Sequence, residues 1–250
     1  VVVDNASVDG TADMMREGFP DVTVLANTIN RGYGAAANQG VASCTAPCVV
    51  ILNGDTRVAP GACARLCGYL GGHPGVALVG PRLANPDGTD QLSCFPFPGS
   101  LRWLLENKPL SSVCGRIPAL RRRLLCFTPP TEPQAVPWVL GAAFAVRRDA
   151  YEDVGGFDEA YYMYFEEVDL CWRLRERGWD VHLDPTATVV HVGGASTAQR
   201  WYEMSLQHFA STLRFYEGHY DGVQLAVWRA LTKTKMAVRL LRDAIGSRRA

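Results

Sequence analysis

No stretch of this sequence reaches the ~18 consecutive apolar residues that a membrane-spanning helix needs. It also has no full G-x-G-x-x-G loop, no C-x-x-C pair, no internal repeat and no low-complexity segment. Net charge is absent too: 25 Lys and Arg offset 25 Asp and Glu, so no overall charge directs the chain to nucleic acid. No signal peptide is visible. The eight cysteines fit neither a zinc nor a redox spacing. They read as mostly buried small hydrophobes in a reducing cytoplasm. The chain opens on Val1-Val2-Val3 rather than Met, inside an apolar run. A domain seldom starts halfway into a core strand, so an upstream strand and helix are expected.

What is present alternates. Val1–Val3, Val22–Ala26, Cys48–Leu52 and Val76–Val79 read as strands; Val1–Val3 is short, β-branched and buried. Thr11–Glu17, Ala35–Ser43 and Ala62–Tyr69 read as helices between them. That order predicts an α/β fold with an open, mostly parallel sheet flanked by helices, and a helical C-terminal tail. Residues 93–137 read as one long irregular loop rich in proline. Beyond it, Glu167–Arg177 reads as an amphipathic helix stopped by Gly178, and Val181–Leu183 and Thr188–Val192 as two short strands. The expected division is one α/β half over 1–92, the loop over 93–137, a second half over 138–215, and a tail over 216–250.

Four places carry chemistry. Asn53-Gly54-Asp55 ends an apolar strand, where ligands bind in open α/β sheets. One carboxylate there suits Mg2+ or Mn2+ shared with phosphates; capping of the following helix is the plain alternative. Phe157-Asp158-Glu159 and Phe165-Glu166-Glu167-Val168-Asp169 place five carboxylates within twelve residues. They follow Tyr161-Tyr162-Met163-Tyr164-Phe165, an apolar wall able to dry a base; helix-dipole stabilisation explains them equally well. His191-Val192-Gly193-Gly194-Ala195-Ser196 offers an imidazole and exposed N–H groups to an anion or metal, or a merely structural histidine. Asp4, Asn5 and Ser7 follow the first strand and are placed to bond a base or ribose. Gly32-Tyr33-Gly34 is a weak fragment of a phosphate loop, with Ala37 where a third glycine is needed.

Taken in order, Val3-Asp4-Asn5-Ala6-Ser7-x-Asp9-Gly10-Thr11, Asn30-x-Gly32-Tyr33-x-x-Ala36-x-Asn38-x-Gly40, Leu52-Asn53-x-Asp55-Thr56, Gly141-Ala142, Gly155-Gly156-Phe157-Asp158-Glu159, Tyr164-Phe165-Glu166-Glu167-Val168-Asp169-Leu170-Cys171-x-Arg173 and His191-x-x-Gly194-x-Ser196 resemble family 2 glycosyltransferases of GT-A fold. The likeness is greatest to the bacterial rhamnosyltransferase-like branch. It implies an inverting enzyme with a nucleotide-diphosphate sugar donor and a glycan or lipid-linked acceptor, working in cell-envelope polysaccharide synthesis. By the resemblance, Asp4 contacts the nucleobase, Asp55 and His191 serve the metal on the diphosphate, and Glu167 is the base. Trp138 and Gly141 border the acceptor pocket. Asn5, Arg31, Gly32, Asn38, Asn53, Glu166 and Asp169 complete the expected substrate contacts.

Three departures stand out: Asn53 and Glu167 occupy positions where the family commonly has Asp, and the family's opening strand has no counterpart here. A non-catalytic sugar- or nucleotide-binding remnant and a nucleotidyltransferase remain as other readings.

Residues 223–250 hold Arg229, Lys233, Lys235, Arg239, Arg242, Arg248 and Arg249 against Asp243, interspersed with apolar residues. Arg116, Arg121, Arg122 and Arg123 form a second basic cluster. Both suggest an anionic membrane surface, hence a cytoplasmic protein peripheral on the inner face of the plasma membrane. A solvated helix packed on the domain is the alternative for the tail.

Overall fold

A computed structural model describes residues 1–106, 110–121, 123–124, 129–193 and 201–246. Gly194, Ala195 and Ser196 of the third motif, with Arg122, Arg248 and Arg249, lie outside the described residues.

The N-terminal elements are β1 (Val2–Asp4), α1 (Thr11–Gly18), β2 (Val24–Ala26) and α2 (Tyr33–Ala42). Next come β3 (Cys48–Leu52), β4 (Thr56–Val58), α3 (Ala62–Gly72) and β5 (Val76–Ala84). The second half contributes β10 (Ala143–Arg147), α7 (Arg148–Asp153), α8 (Glu166–Glu176) and β11 (Asp180–His191). Strands of both halves build one sheet in the order β3-β10-β5-β11-β4. β5 and β11 pair in parallel, while β10 lies antiparallel between β3 and β5. The long strands β3, β5 and β11 therefore run in one direction, with β10 against them.

Alternation along β10 shows why helices cover both faces. Ala145 packs with Leu66 and Leu70 of α3, whereas Phe144 and Val146 pack with Leu170, Cys171 and Leu174 of α8. The period of two sends successive side chains to opposite layers. α8 ends as its sequence predicts. Gly178 has φ +86°, and Trp179 N–H donates to the Leu174 carbonyl at 3.0 Å.

Several expectations need correction. The two short strands over 181–192 are one strand, β11, with register shifts at Asp180/Val181 and Asp184/Thr188. Pro185 breaks the periodic signal there, and Asp184 accepts from both the N–H and the hydroxyl of Thr186 at 2.9 and 2.5 Å, so the irregularity is absorbed locally. The loop over 93–137 is not structureless. It carries β7 (Cys94–Phe95), which pairs with β9 (Trp138–Val139), and α4 (Leu101–Glu106), α5 (Leu110–Cys114) and α6 (Pro118–Arg121). These helices are too short for a period of 3.6 to show. β6 (Asp90–Gln91) and β8 (Gln134–Ala135) add short edges to β5 and β11. The tail is two helices, α9 (Trp201–His219) and α10 (Gly222–Gly246).

Val1–Val3 is not fully buried: Val1 is exposed, Val2 and Val3 are half-buried, and β1 pairs with β2 in a separate two-stranded sheet. Nor are all the cysteines free thiols. Cys48 and Cys67 form a disulfide joining β3 to α3, while Cys94, Cys114 and Cys171 are buried thiols.

Candidate active site

The C-terminal end of β3 organises the site. Asn53 N–H donates to the Ala142 carbonyl at 2.9 Å, tying this end to the residues just before β10. Two residues on, Asp55 does not cap α3, whose N-cap is Gly61. Its Oδ2 instead accepts the Gly193 N–H at 3.1 Å, and its Oδ1 lies 3.4 Å from His191 Nε2. The pairing of β4 with β11, which sets His191 opposite Thr56, brings the two together across 136 positions of sequence. The Gly193 N–H, expected to face a ligand anion, is turned to this carboxylate.

Gln91 was not singled out in the sequence. Its Nε2 donates to Asn85 Oδ1 at 3.3 Å, which aims its Oε1 at His191 Nδ1, 2.8 Å away. That network assigns the imidazole proton to Nδ1 and leaves a lone pair on Nε2 facing Asp55. Two electron-rich atoms so placed suit a cation between them. Asn53 Oδ1 is buried nearby in sequence with no protein partner. Among the described residues no three His, Cys, Asp or Glu side chains converge as a metal cage. Asp55 and His191 therefore fit a divalent ion that draws its remaining oxygens from phosphate and water.

The acidic block lies at the start of α8. Tyr164 and Phe165 both adopt left-handed backbone, φ +67° and +71°, which side chains of their size rarely take. α9 holds this turn: Ser211 Oγ donates to the Met163 carbonyl at 2.8 Å, and the Phe165 ring packs on Phe215 at 5.6 Å. The turn delivers Glu166 and Glu167 into the protein. Glu166 is buried, and Oε2 of each carboxylate is buried without a protein partner. Glu167 Oε1 accepts the Gly141 N–H at 3.4 Å, and Tyr33 donates to the Gly141 carbonyl at 2.7 Å. Burial raises the Glu167 pKa; N–H groups of Glu167, Gly141 and Val168 pull the other way. Burial pushes Glu166 further up, and the charge of Glu167 adds to it. Tyr33 is raised by burial and by both carboxylates, so its hydroxyl stays protonated and donates.

Other expected contacts hold loops together. Asn5 bonds Asn30 Oδ1 and the Gly32 carbonyl through Nδ2, and accepts from Asn27 Nδ2 and the Arg31 N–H through Oδ1. Asn38 donates to the Phe157 carbonyl and Glu159, and accepts from the Tyr151 hydroxyl and the Phe157 N–H. Asp169 is buried, with Arg173 at 2.7 Å and His219 at 2.7 Å on its two oxygens, so it ties α8 to α9. Asn5 and Asn38 use all four side-chain hydrogen-bonding positions within the protein.

Asp4 is buried and accepts the Ser7 N–H at 3.2 Å. Arg31 pairs with Glu159 at 3.3 Å on the surface. Gly32 has φ +87°, and a β-carbon there meets the Tyr162 carbonyl oxygen at 2.5 Å, so close packing alone requires glycine here. Trp138 stacks on Phe95 at 4.7 Å and donates from Nε1 to the Pro96 carbonyl.

Solved structures share this fold. A mannosyltransferase from Pyrobaculum calidifontis, in complex with GDP-Man and Mn2+, superposes with a TM-score of 0.52 over 92% of this chain and 59% of its own, at 20% identity. GalNAc-T7 with UDP, GalNAc and Mn2+ gives 0.53 over 76% and 36%, at 14% identity. The fold is that of the GT-A glycosyltransferases.

In sequence, the N-acetylglucosaminyl-diphospho-decaprenol L-rhamnosyltransferase of Mycobacterium tuberculosis is 31% identical over 96% of this chain and 81% of its own length. The pre-mycofactocin glycosyltransferase of the same organism is 32% identical over 76% of this chain and 36% of its own. Residues 1–126 match the family described as glycosyl transferase family 2. The chain belongs to glycosyl transferase family 2, and is a hexosyltransferase by that membership.

Proposed function

We propose that this protein moves a sugar of the rhamnose class from a nucleoside-diphosphate donor to a lipid-linked glycan acceptor, with inversion, in cell-envelope polysaccharide synthesis at the inner membrane face. The observation that carries the mechanism is Glu167: a carboxylate with a raised pKa and a partnerless buried Oε2, held by Gly141. The rhamnosyltransferase relative, matched over nearly the whole chain, supports the donor and acceptor classes.

Glu167 takes the proton of the acceptor hydroxyl. The freed oxygen pair attacks the anomeric carbon, and the bond to the diphosphate breaks on the opposite side, its electrons leaving with the diphosphate. One displacement inverts the centre. Asp55 and His191 hold a divalent ion, Mg2+ or Mn2+, which when bound supplies charge compensation to the diphosphate. Asp4 and the loop braced by Asn5 receive the nucleobase, with Arg31 and Gly32 beside them. Trp138 and Gly141 border the acceptor.

The test offers a panel of nucleotide sugars and a polyprenyl-diphosphate N-acetylglucosamine acceptor, and reads the product's anomeric configuration by NMR. An inverted rhamnoside is expected. A retained anomer overturns the single displacement. Donor binding without transfer to any acceptor favours the non-catalytic reading instead.

A further inference from the structure

α10 carries two apolar stripes on opposite sides. Leu225, Trp228, Thr232 and Met236 recur at helical spacing, and the buried Trp228 stacks on Tyr216 at 5.6 Å and meets Trp103 edge-on at 5.4 Å. This side fastens the helix to the domain. At 100° per residue, Val223, Val227, Leu231 and Val238 fall together on the far side. They are 81%, 47%, 44% and 44% exposed. Large apolar residues at four such positions, three of them β-branched, are poor choices for a solvated helix, where Ala, Glu and Lys are favoured.

Charge identifies what covers the stripe. On the same projection Lys233 falls on one side of it and Lys235, whose Nζ also lies 5.3 Å from the Trp103 ring centroid, on the other, while Arg229 projects with the inner side and pairs with Glu217 at 2.7 Å. Residues 222–240 contain no Asp or Glu. An apolar stripe with a lysine on either side, on a stretch of helix without acids, matches a bilayer surface, where the stripe enters the acyl boundary and the long lysine side chains reach anionic headgroups. A second copy of the chain brings like charges together and fits poorly. No described helix is long and apolar enough to cross a membrane.

We propose that the outward stripe of α10 is the surface on which the protein lies against an anionic lipid bilayer. The inference deepens the lipid-linked acceptor reading, on which its purpose rests. The path to the acceptor side is short. Tyr220, between α9 and α10, donates to the Pro98 carbonyl at 2.6 Å, and Trp138 donates to the Pro96 carbonyl at 3.0 Å. A helix lying on the membrane thus sits two contacts from the tryptophan that borders the proposed acceptor pocket.

The test is co-sedimentation of the full chain with phosphatidylcholine vesicles, with and without phosphatidylglycerol. No donor or acceptor is added, so the result is independent of transfer. Binding is expected only with the anionic lipid, and should weaken severalfold from low to high salt. Val227→Glu with Leu231→Glu leaves the inner stripe intact and should lower partitioning at least about tenfold. Met14→Glu, an exposed change on α1, should leave it unaltered. The proposal is overturned by equal binding to neutral vesicles, by salt-insensitive binding, or by equal pelleting of the double variant. A dimer that the double variant abolishes, without vesicle binding, overturns it in favour of self-association. If the double variant misfolds, the lipid and salt series on the wild-type chain still decides. Vesicle binding without sugar transfer counts against the enzymatic reading alone.

Discussion

Tyr33 and Glu167 grip opposite ends of one peptide unit: the tyrosine hydroxyl donates to the Gly141 carbonyl, and Glu167 Oε1 accepts the Gly141 N–H. The proposed base is thereby indexed to a glycine whose added β-carbon would stand 3.5 Å from the carboxylate carbon.

Glu167→Gln keeps this geometry and removes the basicity. Transfer should fall by about 10²–10⁴-fold while donor affinity holds. Single-turnover kinetics and calorimetry separate the two. In the wild-type enzyme the raised pKa sets the acid limb: kcat/KM should rise with pH through a value above the ordinary carboxylate range. Unchanged kcat in the variant would reduce Glu167 to a helix-start charge.

Glu166 predicts a stability effect of definite sign. Its folded pKa lies above its unfolded value, so the stability it contributes is complete below the unfolded pKa and is lost as pH rises through the folded one. Glu166→Gln should therefore raise the melting temperature at neutral pH, by roughly 2–4 °C for each kcal/mol relieved. Near pH 4 the gain should vanish. A variant that melts lower at both pH values means Glu166 has a partner the protein depends on.

Gln91→Leu removes the acceptor that keeps the His191 proton on Nδ1. Imidazole 15N shifts should report the Nδ1–H form in the wild-type protein and a mixed population in the variant. Mn2+ affinity in the presence of a nucleoside diphosphate should drop about 10–100-fold by paramagnetic titration. The shifts test the tautomer even where no metal binds.

Gly32→Ala meets both a left-handed backbone and the Tyr162 carbonyl. Chemical unfolding should show a loss of at least about 1–3 kcal/mol. An alanine tolerated there would mean that the loop moves freely away from residue 162.

The layout of strands and helices was legible because each strand of the α/β core is a short apolar run with breakers on either side. Asp55, Glu167 and His191 stand out in the sequence because each lies at or near an element's end, and the structure brings Asp55 beside His191. Asn38 and Asn5 are ambiguous in the sequence for a chemical reason. An amide that can clasp a nucleotide can equally clasp a backbone, and the sequence does not distinguish them. Gln91 was hidden because its role depends on the turn at Asn85–Gly88 folding it back along β5 toward His191. The Cys48–Cys67 bridge joins two elements whose approach only the packed sheet reveals.

The small β1–β2 ribbon has a consequence for timing. Of the six residues in its three backbone pairs only Asp4 is buried, while β5 lies almost wholly in the core between two partner strands. Beyond the strands, the Asn27 N–H donates to the Asp4 carbonyl and its side-chain amide to Asn5 Oδ1. Opening free energies follow local burial and bonding. Amides of β1 and β2 should therefore exchange with deuterium well before those of β5 and β11, so that the end carrying Asp4 can breathe while the floor under Asp55 and Glu167 stays shut.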